Sequence, residues 1–316
     1  SANIYMAKLS QEAIASGVGY MPCTPATWPD GVCLRYYSSM GKIPAVLTKD
    51  KEVSVKRGHV LPIADFSSKI VWNYYVAPDA SSSGTGLSES DPMTLSRLQE
   101  EYFNPGKGTT AWTMRLDAAA VNFKKGTYKL SSTLDFPVPA SGGEYALVIN
   151  GNGAVLDGGT VYQGTEDSKA TVSSGGCRVM SVGTYSHIII NDLVLQNGYD
   201  EYGGGLYAAY SSSSTDVNSS VEFRNCRFLR NFSASTGGAA VCVSTGAAGG
   251  LLKFDRCVFR NNQTLASQGG AVLYTASGKS AVMFNKCTFH KNFGGSNGSD
   301  IYMNNSSARL GLNNCT

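Results

Sequence analysis

An eleven-residue phrase recurs through the last third of this chain at a nearly constant interval. Val221-Glu222-Phe223-Arg224-Asn225-Cys226-Arg227-Phe228-Leu229-Arg230-Asn231 is echoed by Leu252 to Asn262 and by Val282 to Asn292. A further copy opens at Leu310 and runs to Thr316. The cysteines of the four copies, Cys226, Cys257, Cys287 and Cys315, follow at intervals of 31, 30 and 28 residues. A period in this range means stacked units, each too small to bury its own apolar face. The unit consists of short alternating segments broken by Gly and Asn, with no helical period, which specifies an all-β solenoid.

Equivalent residues of successive coils then stack at the strand spacing of about 4.8 Å. Phe223, Phe254, Phe284 and Leu312 form one inward column, and Phe228, Phe259 and Phe289 form a second. Asn231, Asn262 and Asn292 form an amide ladder of the kind that stabilises in-register sheets. A degenerate earlier copy spans Ile188 to Asn197, with Leu193 and Leu195 in the Cys and Phe places. Each copy is followed by a second element: Gly204-Gly205-Leu206, Gly237-Gly238-Ala239 and Gly269-Gly270-Ala271, with Ser299-Asp300-Ile301 in the last. The Gly pairs are expected to supply positive-φ bends between strands. The cysteine column reads as inward, reduced thiols: Cβ atoms in register point the same way and stay too far apart for disulfides.

Upstream, short strands separated by Gly continue the pattern from Trp72 (Trp72–Val76, Ala120–Phe123, Gly126–Leu130, Ala146–Gly151, then Asn152–Gly158). Asp91-Pro92 offers an N-cap and first helical residue, and Leu95, Leu98 and Tyr102 recur at helical spacing. One capping helix is therefore expected over 92–103, stopped by Asn104-Pro105-Gly106. The first part reads differently. Residues 10–16 form a short helix capped by Ser10, 51–63 a strand or hairpin, and Cys23 and Cys33 bracket a loop that a disulfide would close in an exported protein. The domains are thus a small β-rich accessory domain at 1–72 and a solenoid of about seven coils at 73–316.

Composition agrees. Gly makes up 36 of 316 residues and charged residues only 16%, against an average of roughly 25% charged. The net charge of +3 is too small for a dedicated nucleic-acid binder. No run of apolar residues approaches a membrane span. The eight Cys hold no CxxC pair and only three His are present, which argues against zinc or iron–sulfur sites, and no cofactor is expected.

The paired FxxN and GGA motifs resemble the chlamydial polymorphic outer-membrane protein repeat, within the broad right-handed parallel β-helix (pectate-lyase-like) superfamily. FxxN stands here as Phe228–Asn231, Phe259–Asn262 and Phe289–Asn292; its partner stands as Gly238–Val241 and Gly270–Leu273. The strand, capping helix, "GTY" at Gly126–Tyr128 and "GNGAVLDG" at 151–158 also look like the entry to such helices, so the resemblance covers about 74–316. It implies a right-handed parallel β-helix in an exported, surface-associated protein of a Gram-negative bacterium, extracellular or attached to the outer membrane. Adhesion or binding of a polysaccharide or host cell-surface glycan is the expected role. The superfamily's polysaccharide lyases and glycoside hydrolases supply the alternative.

A hydrolase would need two carboxylates roughly 5–9.5 Å apart. Asp157, Asp192, Asp200 and Glu201 are the candidates; Asp200-Glu201, between Tyr199 and Tyr202, are the pair that could line a sugar subsite if they stand in a loop. A ligand site without catalysis is suggested by charge: from residue 201 onward ten basic residues face five acidic ones. Arg227, Arg230, Arg256, Arg260, Lys286 and Lys291 recur within the repeats, and aligned guanidinium groups suit carboxylates and sulfates. The same residues would also serve as a solvated face that blocks edge association.

Overall fold

The structure is a computed structural model that describes residues 26–28, 32–37, 44–49, 52–56, 72–103, 119–136, 145–164, 168–183, 186–210, 219–235, 237–245, 250–265, 269–277 and 280–316. The chain divides into two compact units, 1–37 with 44–70, and 38–43 with 71–316. In the first, Ala26–Trp28 pairs antiparallel with Val53–Val55, and Val32–Tyr37 pairs antiparallel with Pro44–Lys49. The expected helix at 10–16 lies outside the described residues, as does Cys23 of the expected Cys23–Cys33 bridge.

The second unit is an all-β parallel solenoid. Sheet I stacks eight strands: Trp72–Val76, Ala119–Phe123, Tyr145–Asn150, Ser186–Asn191, Ser219–Arg224, Gly250–Asp255, Ala281–Asn285 and Arg309–Asn313. Sheet II stacks six three-residue strands, Thr127–Lys129, Val155–Asp157, Val194–Gln196, Arg227–Leu229, Val258–Arg260 and Thr288–His290. Sheet III stacks another six, Leu134–Asp135, Met180–Gly183, Leu206–Tyr210, Val241–Thr245, Leu273–Ser277 and Ile301–Met303. Six coils thus place a strand in every sheet, where about seven coils were expected.

Period-2 patterning sets the inside and the outside. In Ser219–Arg224 every second residue is buried, and Val221 and Phe223 face the core. Register carries Ile190 onto Phe223, Phe254, Phe284 and Leu312, and Leu195 onto Phe228, Phe259 and Phe289. Rings within a column lie nearly parallel: Phe254 to Phe284 is 4.9 Å between centroids at 12°. Rings of neighbouring columns meet edge to face, as Phe254 meets Phe259 at 5.3 Å and 80°. Each such pair adds about 0.5–1.5 kcal/mol beyond the burial of its area.

The thiols sit between these columns. Cys226, Cys257 and Cys287 are buried and unbridged. Each Sγ donates to the carbonyl one coil back: Cys257 to Phe223, Cys287 to Phe254 and Cys315 to Phe284, all at 3.5 Å. The stack thereby uses the thiol as a small apolar filler that also satisfies a main-chain acceptor. Burial pushes the Cys257 thiol well above its ordinary range.

The amide ladder is fully hydrogen-bonded. Asn262 Oδ1 accepts from the main chain of Asn231 at 3.1 Å and from its Nδ2 at 3.0 Å. Its own Nδ2 donates to the Phe228 carbonyl at 2.9 Å and to Asn292 Oδ1 at 3.0 Å. Two lone pairs and two protons are all used, which is what a side chain with no solvent exposure requires.

Two expectations are corrected. Of the Gly pairs only Gly269 takes a positive φ, of 117°. The non-glycine positive-φ residues fall just after the last six sheet I strands (Asn152, Asp192, Asn225, Arg256, Lys286, Asn314) and after four sheet II strands (Asn197, Arg230, Asn261, Lys291), with φ of 51–55°. Gly238 instead reflects close approach of the backbone: a Cβ there would stand 1.9 Å from the Val241 carbonyl oxygen. The helix is shorter than 92–103. It begins at Leu95, capped by Thr94, whose hydroxyl accepts from the Arg97 amide at 3.1 Å, and widens to π-helical geometry over Leu98–Phe103. Asp91 is diverted to Thr85, whose hydroxyl donates to it at 2.6 Å, and Met93 bridges to Val76, so the chain is still extended where the helix was expected to start. No described helix is long and apolar enough to cross a membrane.

Candidate functional site

The three-residue strands of sheet II turn their middle residue inward, buried in all but the last, so the first and third of each point outward. Register aligns Val194, Arg227 and Val258 in one outer column, and Gln196, Leu229 and Arg260 in the next. On this surface Arg227 and Arg260 occupy one diagonal and the apolar pair Leu229 and Val258 the other. Together with Gln196, Arg230 and Asn261 they line a groove of about 310 Å³. No carboxylate is among the described lining residues.

A hairpin, Val161–Gln163 paired antiparallel with Thr171–Ser174, leaves the solenoid between its sheet II and sheet III strands and runs along the outside. It is fastened three coils away. Gln263 accepts from the Ala170 amide at 2.7 Å and donates to its carbonyl at 2.9 Å, replacing a strand partner. Tyr162 packs on Phe232 at 5.8 Å and lies under the Arg230 guanidinium at 5.3 Å. The hairpin therefore orients Arg230 at the groove's end by a cation–π contact. At the same end Asn261 Oδ1 is buried and meets no hydrogen-bond partner among the described residues.

The sequence candidates separate into groups. Arg227, Arg230 and Arg260 converge on the groove. Arg256 and Lys286 stand at the corner between sheets I and II, where Arg256 is held by Asp255 at 2.9 Å and by Asn225 Oδ1 at 2.8 Å. Lys291 is at the second corner, separated from Arg230 by Asn261. Neither Tyr199 nor Tyr202 lines the groove.

Tyr199-Asp200 is a short strand stacked on Phe232-Ser233, followed by Glu201. Asp200 is paired with Arg178 at 2.8 Å. Arg178 also donates to the Tyr202 and Gly203 carbonyls and lies over the Tyr207 ring at 4.6 Å, so the pair pins this excursion to the coil. Asp157 accepts from Gln196 at 2.9 Å, from Asn197 at 3.0 Å and from the Gly159 amide at 2.9 Å, which commits it to the turn that follows. Asp192 is an exposed corner residue. No group of three His, Cys, Asp or Glu side chains able to hold a metal occurs among the described residues.

Tyr162, Gln196, Leu229, Val258 and Asn261 are site residues that motif reading passed over. The signal for three of them was present, because flanking the inward Phe of each FxxN by one position on either side marks the outward columns. Nothing local in the hairpin's sequence marks Tyr162 as the partner of a residue 68 positions away.

The fold and groove define a parallel β-solenoid with a basic, apolar-floored recess on one outer face. Compared with protein-family models, curated proteins and solved structures, the chain matches none.

Proposed function

We propose that this protein is an exported bacterial cell-surface protein that binds acidic glycan on the outer face of sheet II, in an adhesive and non-catalytic role. The observation that carries the reading is the groove. Arg227, Arg230 and Arg260, spread over two adjacent coils, line one recess with no described carboxylate among them. Guanidinium groups in a recess bind carboxylate or sulfate with directed hydrogen bonds. The groove's size falls at the low end of ordinary ligand sites, roughly 300–1,000 Å³. Export and surface attachment rest on the likeness of the FxxN and GGA repeats to the chlamydial outer-membrane repeat within the right-handed β-helix superfamily.

The test is binding of the purified chain to an array of uronate-bearing, sulfated and neutral glycans at rising salt. Retention confined to acidic glycans and weakening with salt supports the reading. Absence of binding to every acidic glycan refutes it.

A further inference from the structure

The groove has a pattern that simple attraction of a polyanion does not require. Coils lie about 4.8 Å apart, and alternate residues of a strand about 6.7 Å, so Arg227 and Arg260 rise from points about 8 Å apart. Leu229 and Val258 occupy the opposite diagonal and form an aliphatic floor between the two charges. Asn261 lines the same recess beside Arg260 and Arg230.

We propose that the groove is a two-anion subsite for a short segment of acidic glycan. Arg227 and Arg260 each hold one anionic group, borne on neighbouring sugar rings. The C–H face of a ring lies over Leu229 and Val258. This rests on the glycan-binding reading above and deepens it. The floor favours sugar over nucleic acid, because bases are held on aromatic platforms and the described floor is aliphatic. Tyr162 is a positioning residue here: it holds the Arg230 guanidinium at the end of the groove, which limits how far the segment extends along it.

The experiment measures affinity of the full chain by titration calorimetry. The probes are tetragalacturonate, a sulfated galactose tetrasaccharide, a neutral galactose tetrasaccharide, monogalacturonate and single-stranded DNA. The variants are Arg227→Gln, Arg260→Gln, the double variant, and Lys286→Gln as a basic residue outside the groove. All three positions are at least partly exposed, and thermal melts confirm that each variant is folded. For the tetrasaccharide that binds, each single groove variant is expected to lose about tenfold in affinity and the double variant about a hundredfold, while Lys286→Gln changes it less than twofold. Monogalacturonate is expected to lose little affinity with either single substitution, because the remaining Arg still holds its one carboxylate, and most of it with both. Whether uronate or sulfate is the anion is decided by which tetrasaccharide binds.

Three results overturn the subsite while leaving glycan binding intact. The first is acidic tetrasaccharide binding that ignores both Arg substitutions. The second is a double variant no weaker than either single, which means one shared anion. The third is DNA binding equally tightly with the same Arg dependence. Failure of every acidic probe to bind overturns the broader reading as well.

Discussion

Asn262 gives a quantitative test of the inner ladder. Replacing it by Ala strands the main-chain N–H and one Nδ2 proton of Asn231, and removes a donor from the Phe228 carbonyl. The Asn292 amide oxygen keeps the main-chain N–H of residue 262. Three buried groups at the lower end of about 1–3 kcal/mol each give a loss of about 3 kcal/mol. The exposed outer residue Asn313, which donates to Asn285 at 2.8 Å, should cost no more than about 0.5 kcal/mol when replaced by Ala. Asn262→Asp sharpens the test. The carboxyl keeps the acceptor role but turns its second oxygen toward the Phe228 carbonyl and Asn292 Oδ1. Burial and those acceptors disfavour the ionised form, so the folded-state pKa rises above the ordinary carboxylate value of about 3.9. The variant is then least destabilised below pH 4 and loses stability as pH rises through its folded pKa. Urea denaturation followed by circular dichroism, at intervals between pH 4 and 8, measures both effects. A cost below 1 kcal/mol for Asn262→Ala, or a flat pH profile for Asn262→Asp, would refute the accounting.

On the outer face of sheet I, Arg224 and then Lys253, each 2.9 Å away, hold Glu222 down to about 2. A lowered carboxyl stabilises above its ordinary pKa of 4.5 and loses that contribution as pH falls toward 2. Because both partners are more than a third exposed, the effect should be about 1 kcal/mol, and Glu222→Gln should abolish the acid slope in melting temperature. Thiol accessibility gives a second check. Burial raises Cys242 to about 12 and Cys257 further, so these two thiols should label slowly with iodoacetamide in native protein at pH 8, whereas unreduced protein in denaturant should yield at least four labelled thiols by mass. Two glycines contrast close approach with backbone conformation. Gly238→Ala drives a Cβ into the Val241 carbonyl and should lower the melting temperature sharply or prevent folding. Gly153→Ala, at φ +76° with open space around it, should cost about 1–2 kcal/mol.

What could be read from the sequence was what repeats. Phe228, Phe259 and Phe289 stack because copies in register must superpose, and the same logic placed Asn231, Asn262 and Asn292 before any geometry was known. A second ladder went unread. Asn122, Asn150 and Asn191 are linked at the end of sheet I strands, Asn150 to Asn122 at 2.8 Å and Asn191 to Asn150 at 3.1 Å. Arg224 and Asp255 then interrupt the series before Asn285 and Asn313 resume it. The interruption hid the column, because identity rather than position carried the signal. The corners were misplaced for a related reason. Arg230, Arg256, Lys286 and Lys291 have no strong preference for the left-handed region, and the coil imposes it on them, whereas Gly suggested a conformation that Gly238 does not use. The groove was half legible: its charges lie inside the repeat, but its aliphatic floor and its hairpin wall depend on pairings between coils and on an excursion that occurs once.

The parallel stacking has a mechanical consequence. In all three sheets the interstrand hydrogen bonds run along the solenoid axis, so tension applied along that axis loads successive coil junctions in series. Each junction bears the whole force with its own few hydrogen bonds and one layer of ring contacts, and a coil touches only its neighbours. The junction with the fewest bonds yields first and the rest follow one at a time. A tether built this way lengthens in steps of one coil, about thirty residues, dissipating load gradually, while force applied across the axis is shared by the whole stack.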